Sequence, residues 1–137
     1  MKKKILIVNA IYYKKISSSL SSEAKSCLVD AGVMCSEITV PGVFEIPVII
    51  SKNIKKYDGF VALGCVIKGE TPHFDFISKS TIDAIMKLSI EYKKPVGNGI
   101  LTCLNVSQAN TRSSTSGSKR GKGIEAAEAV LEVLKSF

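Results

Sequence analysis

The sequence predicts an α/β fold, a four-stranded parallel sheet held between two layers of helices. Three observations predict it. Short strand-like apolar runs alternate with longer stretches of helical spacing along the whole chain. The strongest run, residues 59–67 (GFVALGCVI), is apolar on both faces, as a strand inside a parallel sheet is. The length, 137 residues, can bury a core without disulfides or metals, so residues 1–137 are expected to form one domain.

Residues 4–9 (KILIVN) are a short apolar run and read as a buried strand. Residues 17–31 carry Leu20, Ala24, Cys27, Leu28 and Ala31 at helical spacing, and Gly32 is a natural stop. Residues 34–40 alternate as a strand. Residues 44–55 read as a helix whose basic end suits its C-terminal dipole. After the strand at 59–67, residues 72–91 form a helix with Ile77, Thr81, Ile85 and Leu88 on one face. Thr71 is expected as its N-cap and Pro72 as its first residue. Residues 95–103 are the fourth strand and 107–112 a short helix. The last helix, 124–134, has Ile124, Ala127, Leu131 and Leu134 in register. The order is therefore β-α-β-α-β-α-β-α-α, with no internal repeat. Residues 113–122 (SSTSGSKRGK) are low in complexity and read as a mobile loop or a helix start. Segments 20–31 and 74–90 are more apolar than the surface helices of a monomer need, so association through a helical face is expected.

A composition of 45% hydrophobic and 23% charged residues excludes wholesale disorder. No apolar run approaches the ~18 residues of a membrane span. The opening MKKK leads into an apolar run too short for a secretory signal. The expectation is a soluble, cytoplasmic protein with no membrane partner. The formal charge of +7 raises nucleic acid as a partner. Its lysines, however, are scattered along the chain without the interleaved aromatics of a base-stacking platform. Solvated faces and an anionic small substrate are the preferred reading, with no nucleic acid. Cys27, Cys35, Cys65 and Cys103 lack C-x-x-C spacing and sit in apolar segments, so buried free thiols are expected. With one histidine, no metal site is expected.

Ligands of open parallel sheets bind beyond the carboxyl ends of the strands. After the third strand comes Lys68-Gly69-Glu70-Thr71-Pro72-His73, where exposed amides at Gly69, Glu70 and Thr71 precede a helix, an anion site by construction. His73 lies in the first turn of that helix. A histidine there either packs or faces water, or it serves as a general acid/base beside the anion. After the second strand, Glu45 either complements the dipole of its helix or accepts from hydroxyls of a polyol-like ligand. After the first strand, Tyr12 and Tyr13 are surface or core aromatics, or rings that stack on a flat heterocycle. Arg112 offers a planar fork suited to phosphate, and Lys122 flanks the same serine-rich segment.

Four motifs carry a resemblance over nearly the whole chain: PGVFEIP at 41–47, GCVIKGETPHFD at 64–75, NGILTCLNVSQANTR at 98–112 and GKGIEAAEAVLE at 121–132. In this order the sequence resembles the lumazine synthases of riboflavin biosynthesis. The resemblance implies a flavodoxin-like three-layer αβα sandwich. It implies condensation of 5-amino-6-(D-ribitylamino)uracil with 3,4-dihydroxy-2-butanone 4-phosphate, without cofactor or metal. By motif, His73 matches the catalytic histidine, and Glu70, Thr71 and Arg112 match the groups that hold the phosphate. Val43, Phe44 and Glu45 match the ribityl-binding loop, and Cys65, Val66 and Ile67 the pyrimidine lining, with Tyr12 the ring stacked on it. Lys122 matches a lysine that reaches the site, and Lys119 or Arg120 competes for that role. In the family, Asn98, Arg112 and Lys122 act from the neighbouring subunit. The chain departs from the common pattern in four places. Tyr12 stands where Phe is usual, Tyr13 where Asn is common, Asn98 where an aromatic is frequent, and Gly121 where Asn often precedes the lysine. The resemblance implies a homopentamer with active sites shared between adjacent subunits. An early first strand and a long segment 113–122 point to isolated pentamers over larger shells.

Two other classes remain. A non-catalytic flavin- or lumazine-binding protein of the same fold would keep Tyr12, Glu45 and the anion site but would not need His73. A basic nucleic-acid-binding domain would show strongly salt-dependent binding.

Overall fold

The computed structural model describes residues 2–117 and 119–137. Met1, and Ser118 in the serine-rich segment, lie outside the described residues. The elements in chain order are β1 (Lys4–Ala10), α1 (Lys14–Asp30), β2 (Met34–Val40), a 3₁₀ turn (Val43–Glu45), α2 (Ile46–Asn53), β3 (Gly59–Ile67), α3 (His73–Tyr92), β4 (Val96–Cys103), α4 (Val106–Arg112) and α5 (Lys122–Leu134). The four strands form one parallel sheet in the order β2-β1-β3-β4.

The pleat sends successive side chains to opposite faces, and each face has its own core. Ile5, Ile7, Val61, Leu63, Cys65 and Leu101 meet Leu20, Ala24 and Leu28 of α1 and Ala126, Ala127 and Val130 of α5. Leu6, Val8, Phe60, Ala62 and Ile100 meet Ile46 and Ile50 of α2 and Ile85 of α3 on the other face. This is the three-layer αβα sandwich expected from the alternation. β3 is buried along Gly59–Cys65 because it lies inside the sheet with helices above and below.

Several local expectations change. The helix expected at 44–55 divides into the 3₁₀ turn and α2, with Pro47 in the first turn of α2, where its missing N–H costs nothing. Pro72 caps α3 and is not its first residue: the Pro72 carbonyl accepts from Asp75 N–H at 3.0 Å and Phe76 N–H at 3.2 Å. Thr71 therefore stands outside the helix, its Oγ1 accepting from His73 N–H at 3.4 Å. Cys65 and Cys103 are buried, whereas Cys27 and Cys35 are only half-buried, at the outer edge of the core; all four thiols are free. The apolar face of α1 is spent inside the chain against α5. On α3 only Thr81 and Ile85 are buried, and Phe76, Met86 and Ile90 stay exposed.

The basic residues are less scattered in space than in sequence. Lys4, Lys55, Lys56, Lys93 and Lys94 all precede the starts of parallel strands or open them, so they share one end of the sheet. There Lys94 Nζ donates to the Ile54 carbonyl at 2.5 Å, and Asp58 Oδ2 accepts from Lys4 N–H at 2.8 Å. The candidate site lies at the opposite end. Among the described residues no helix is long and apolar enough to cross a membrane.

Candidate active site

In the order β2-β1-β3-β4 the chain leaves β1 for β2 on one side and returns to β3 on the other, so β1 and β3 flank the topological switch point. A cavity of about 420 Å³ opens there, beyond the carboxyl ends of the strands. It is lined by Tyr12 and Tyr13 after β1, Gly42, Val43 and Phe44 after β2, Cys65, Val66 and Ile67 closing β3, and His73 and Ile77 from α3. Eight of the residues singled out in the sequence, scattered over 62 positions from Tyr12 to His73, thus meet at one rim.

Each arrives for a local reason. Tyr13 is the residue before α1, and its carbonyl accepts from Ser17 N–H at 2.9 Å and from Ser17 Oγ at 3.0 Å. Tyr12 meets Tyr13 edge-on, with centroids 4.9 Å apart and planes at 79°, and is 74% exposed at the cavity mouth. Val43 is buried against the sheet by the 3₁₀ turn, which leaves Phe44 62% exposed at the rim. Glu45 does not line the cavity. Its Oε1 turns back to accept from Gly42 N–H at 2.9 Å and tightens the turn that presents Val43 and Phe44.

The segment between β3 and α3 is exposed, and Lys68 N–H is spent on the Cys103 carbonyl at 2.9 Å. The amides of Gly69, Glu70 and Thr71 have no partner among the described residues and stand open ahead of α3. His73, also exposed, is the first residue of that helix and lines the cavity. Open donors, a helix N-terminus and an imidazole therefore adjoin one apolar, aromatic-rimmed cavity, an arrangement that can hold an anionic group and move protons next to it.

Beneath the cavity, burial and contact with the Cys103 thiol push the Cys65 thiol up to about 12, so it stays a neutral, inert wall. Burial raises the Tyr13 phenol as well, with Cys65 and Tyr12 adding to it. Among the described residues no three His, Cys, Asp or Glu gather in a way that could hold a metal ion.

Glu70 and Thr71 adjoin the lining without being part of it; besides Glu45, three further residues read as site candidates, Asn98, Arg112 and Lys122, lie off this cavity. Asn98 is exposed on β4, facing Ile82, Ile85 and Met86 of α3, and its Oδ1 accepts from Ile100 N–H at 3.1 Å. Arg112 ends α4, exposed. Lys122 opens α5 behind a segment tied to α1: Glu23 accepts from Thr115 N–H at 2.8 Å and Thr115 Oγ at 3.0 Å, and Thr115 Oγ1 accepts from Gly121 N–H at 3.1 Å. A Cβ at Gly121 would stand 2.3 Å from Glu23 Oε1 and 2.9 Å from the Ser114 carbonyl carbon, so only glycine fits this clamp. Ile77 and Gly42 are the lining residues that the sequence reading missed. Ile77 was read as a core position, which its spacing alone cannot distinguish from a cavity wall.

Comparison with known proteins bears directly on this arrangement. Residues 2–137 match the family described as 6,7-dimethyl-8-ribityllumazine synthase. A protein of that name from Bartonella tribocorum is 45% identical, covering 96% of this chain and 89% of its own length. Its namesake from Agrobacterium fabrum is 42% identical over 96% of this chain and 92% of its own. One from Corynebacterium kroppenstedtii is 37% identical over 98% and 84%. Matches of this extent, together with a cavity at the β1/β3 switch point, show that the chain belongs to the 6,7-dimethyl-8-ribityllumazine synthase family.

Proposed function

We propose that this chain condenses 5-amino-6-(D-ribitylamino)uracil with 3,4-dihydroxy-2-butanone 4-phosphate, giving 6,7-dimethyl-8-ribityllumazine, phosphate and water, the penultimate step of riboflavin biosynthesis. The observation that carries the reading is the junction of open amides at Gly69, Glu70 and Thr71 with His73 at the aromatic-rimmed cavity. The pyrimidine lies against Cys65, Val66 and Ile67, with Tyr12 stacked on it. The ribityl chain runs along Val43 and Phe44, and the second oxygen of Glu45 accepts from its hydroxyls.

The amine attacks the ketone and the carbinolamine loses water to form the imine. A proton then leaves the adjacent hydroxyl-bearing carbon as phosphate departs from the carbon beyond it, and ring closure by the ribitylamino nitrogen expels a second water, with His73 carrying the protons. Charge accumulates on the departing phosphate. Fixed amides at Glu70 and Thr71, with the fork of Arg112, stabilise it without reorganising. Holding two substrates in one orientation supplies much of the remaining gain. A binding protein without chemistry would have no use for a histidine beside the anion site, and this favours the catalytic reading.

Arg112, Asn98 and Lys122 lie off their own chain's cavity, so the site is read as completed by a neighbour within a homopentamer. The exposed Phe76, Met86 and Ile90 of α3 supply an apolar face for such assembly. Residues 1–137 are read as one domain working in the cytoplasm. Incubation with both substrates tests the activity: lumazine absorbance and fluorescence should appear, and should vanish when either substrate is omitted. Light scattering tests the assembly. Five chains of 14.7 kDa give about 74 kDa. A particle near 0.9 MDa (about sixty such chains) would refute the pentamer, and an active monomer would refute the shared site as well.

A further inference from the structure

The phenol of Tyr13, unlike the exposed ring of Tyr12, is a half-buried polar group of the cavity wall that the condensation as described does not use. Its backbone is fixed by the two Ser17 bonds at 2.9 and 3.0 Å, and its ring packs on the core cluster containing Cys65, Cys103 and Ala109. The edge of Tyr12 closes on it at 4.9 Å. The ring is therefore held from three sides before any ligand arrives. Among the described residues the Tyr13 hydroxyl has no hydrogen-bond partner, although the ring is half-buried and lines the cavity.

Nearby groups offer it little. Cys65 remains a protonated thiol, a weak donor and a weak acceptor. Val43, Phe44, Val66, Ile67 and Ile77 are apolar. A dioxopyrimidine entering this cavity brings carbonyl oxygens that lose their water, and leaving one unpaired costs more than pairing it gains. The phenol keeps its proton at neutral pH, because burial and the Cys65 and Tyr12 neighbours raise it further above an already alkaline range. It is thus a rigid neutral donor in a wall that otherwise has little polar to offer.

We propose that Tyr13 is a specificity-determining donor of the pyrimidine subsite: its hydroxyl hydrogen-bonds a ring carbonyl of the pyrimidinedione while Tyr12 covers the ring face. This rests on the condensation reading for the identity of the ligand. A cavity built around a donor rejects heterocycles that lack the matching acceptor more strongly than an apolar slot rejects a change of size.

Tyr13→Phe removes the hydroxyl and keeps the ring. The expected result is a KM for the ribitylaminouracil raised about tenfold, the scale of one hydrogen bond. kcat should stay within about twofold and the KM for the butanone phosphate should not move, since Tyr13 touches neither the phosphate nor the proton transfers. Fluorescence titration with 6,7-dimethyl-8-ribityllumazine, which keeps the same carbonyls, should show the same loss of affinity without any turnover. Unchanged affinity for both pyrimidine ligands would overturn the proposal. So would a loss shared equally by the two substrates, which marks a packing residue. A wild-type chain that binds the lumazine through Tyr13 but makes none would overturn the condensation reading and leave the donor standing. A wild-type chain that condenses, with a Tyr13→Phe variant of equal affinity, would do the reverse.

Discussion

Gly64→Ala should damage the site through one methyl group placed behind it. Gly64 lies on β3 opposite the 3₁₀ turn, and a Cβ there would stand 2.7 Å from Val43 Cγ1 and 3.0 Å from Ala10 Cβ. Carbon atoms at rest need about 3.5–4.0 Å, so Val43 has to withdraw by roughly 1 Å. It has little freedom to do so by rotation, being β-branched and 6% exposed. The turn Val43–Glu45 moves instead, and Phe44 at the cavity rim moves with it. Overpacking of this size costs about 1–3 kcal/mol of stability. A displacement of about 1 Å at a substrate wall lowers kcat/KM by up to ~10²-fold. Urea midpoints and condensation kinetics measure the two effects. The decisive control is Val43→Ala, which empties the space the new methyl needs. The double variant should regain most of the stability lost by Gly64→Ala, with a coupling of about 1–2 kcal/mol in the cycle. Strict additivity would refute the reasoning, because it would mean that Gly64 and Val43 do not compete for space.

Three further outcomes follow from the same geometry. His73→Ala should slow condensation about 10²-fold with little loss of pyrimidine binding, measured by initial rates and lumazine titration; wild-type turnover would make the histidine structural. Arg112→Lys keeps the charge and loses the fork, so it should raise the KM for the butanone phosphate far more than that for the pyrimidine. Glu37 is half-buried, and its partial burial alone would push its carboxyl up, but hydrogen bonds from Lys25 (2.5 Å), Asn9 (3.1 Å) and Ser21 (3.0 Å) outweigh this and hold it below its ordinary 4.5. Its contribution is therefore complete above pH 4.5 and lost as pH falls through the lowered value. Glu37→Gln should cost about 1–2 kcal/mol at pH 7, with the gap in urea midpoint closing on acidification; a gap constant with pH would contradict it.

The sheet was legible because burial on both faces leaves β3 without polar residues, and α1 and α5 because their buried positions repeat at helical spacing. The short helix expected at 107–112 starts one residue earlier, at Val106, because Asn105 caps it: Asn105 accepts from Gln108 N–H at 2.9 Å while Gln108 Oε1 accepts from Leu104 N–H at 2.8 Å, an N-x-x-Q signal that the spacing of apolar residues does not show. The division at Glu45 was not legible, since a three-residue turn shows no period that separates it from α2. The network of Glu37, Asn9, Ser21 and Lys25 was equally hidden. Alternation along β2 places Glu37 on a face but says nothing of which residues close on it, Lys25 and Ser21 of α1 at 12 and 16 positions and Asn9 of β1 at 28. In the site, Tyr12, Val43, Phe44, Cys65, Val66, Ile67 and His73 converge because parallel strands end at one rim, and topology alone brings them together. Asn98, Arg112 and Lys122 do not share that rim's cavity, so nothing in one chain's topology could assign them; only the resemblance did.

The most direct measurement counts lumazine and inorganic phosphate in the same reaction, with both substrates present and the protein concentration varied. The account predicts one phosphate released per lumazine formed, both rates proportional to protein and both far above the uncatalysed background. Phosphate without lumazine, or lumazine no faster than without the protein, would contradict it.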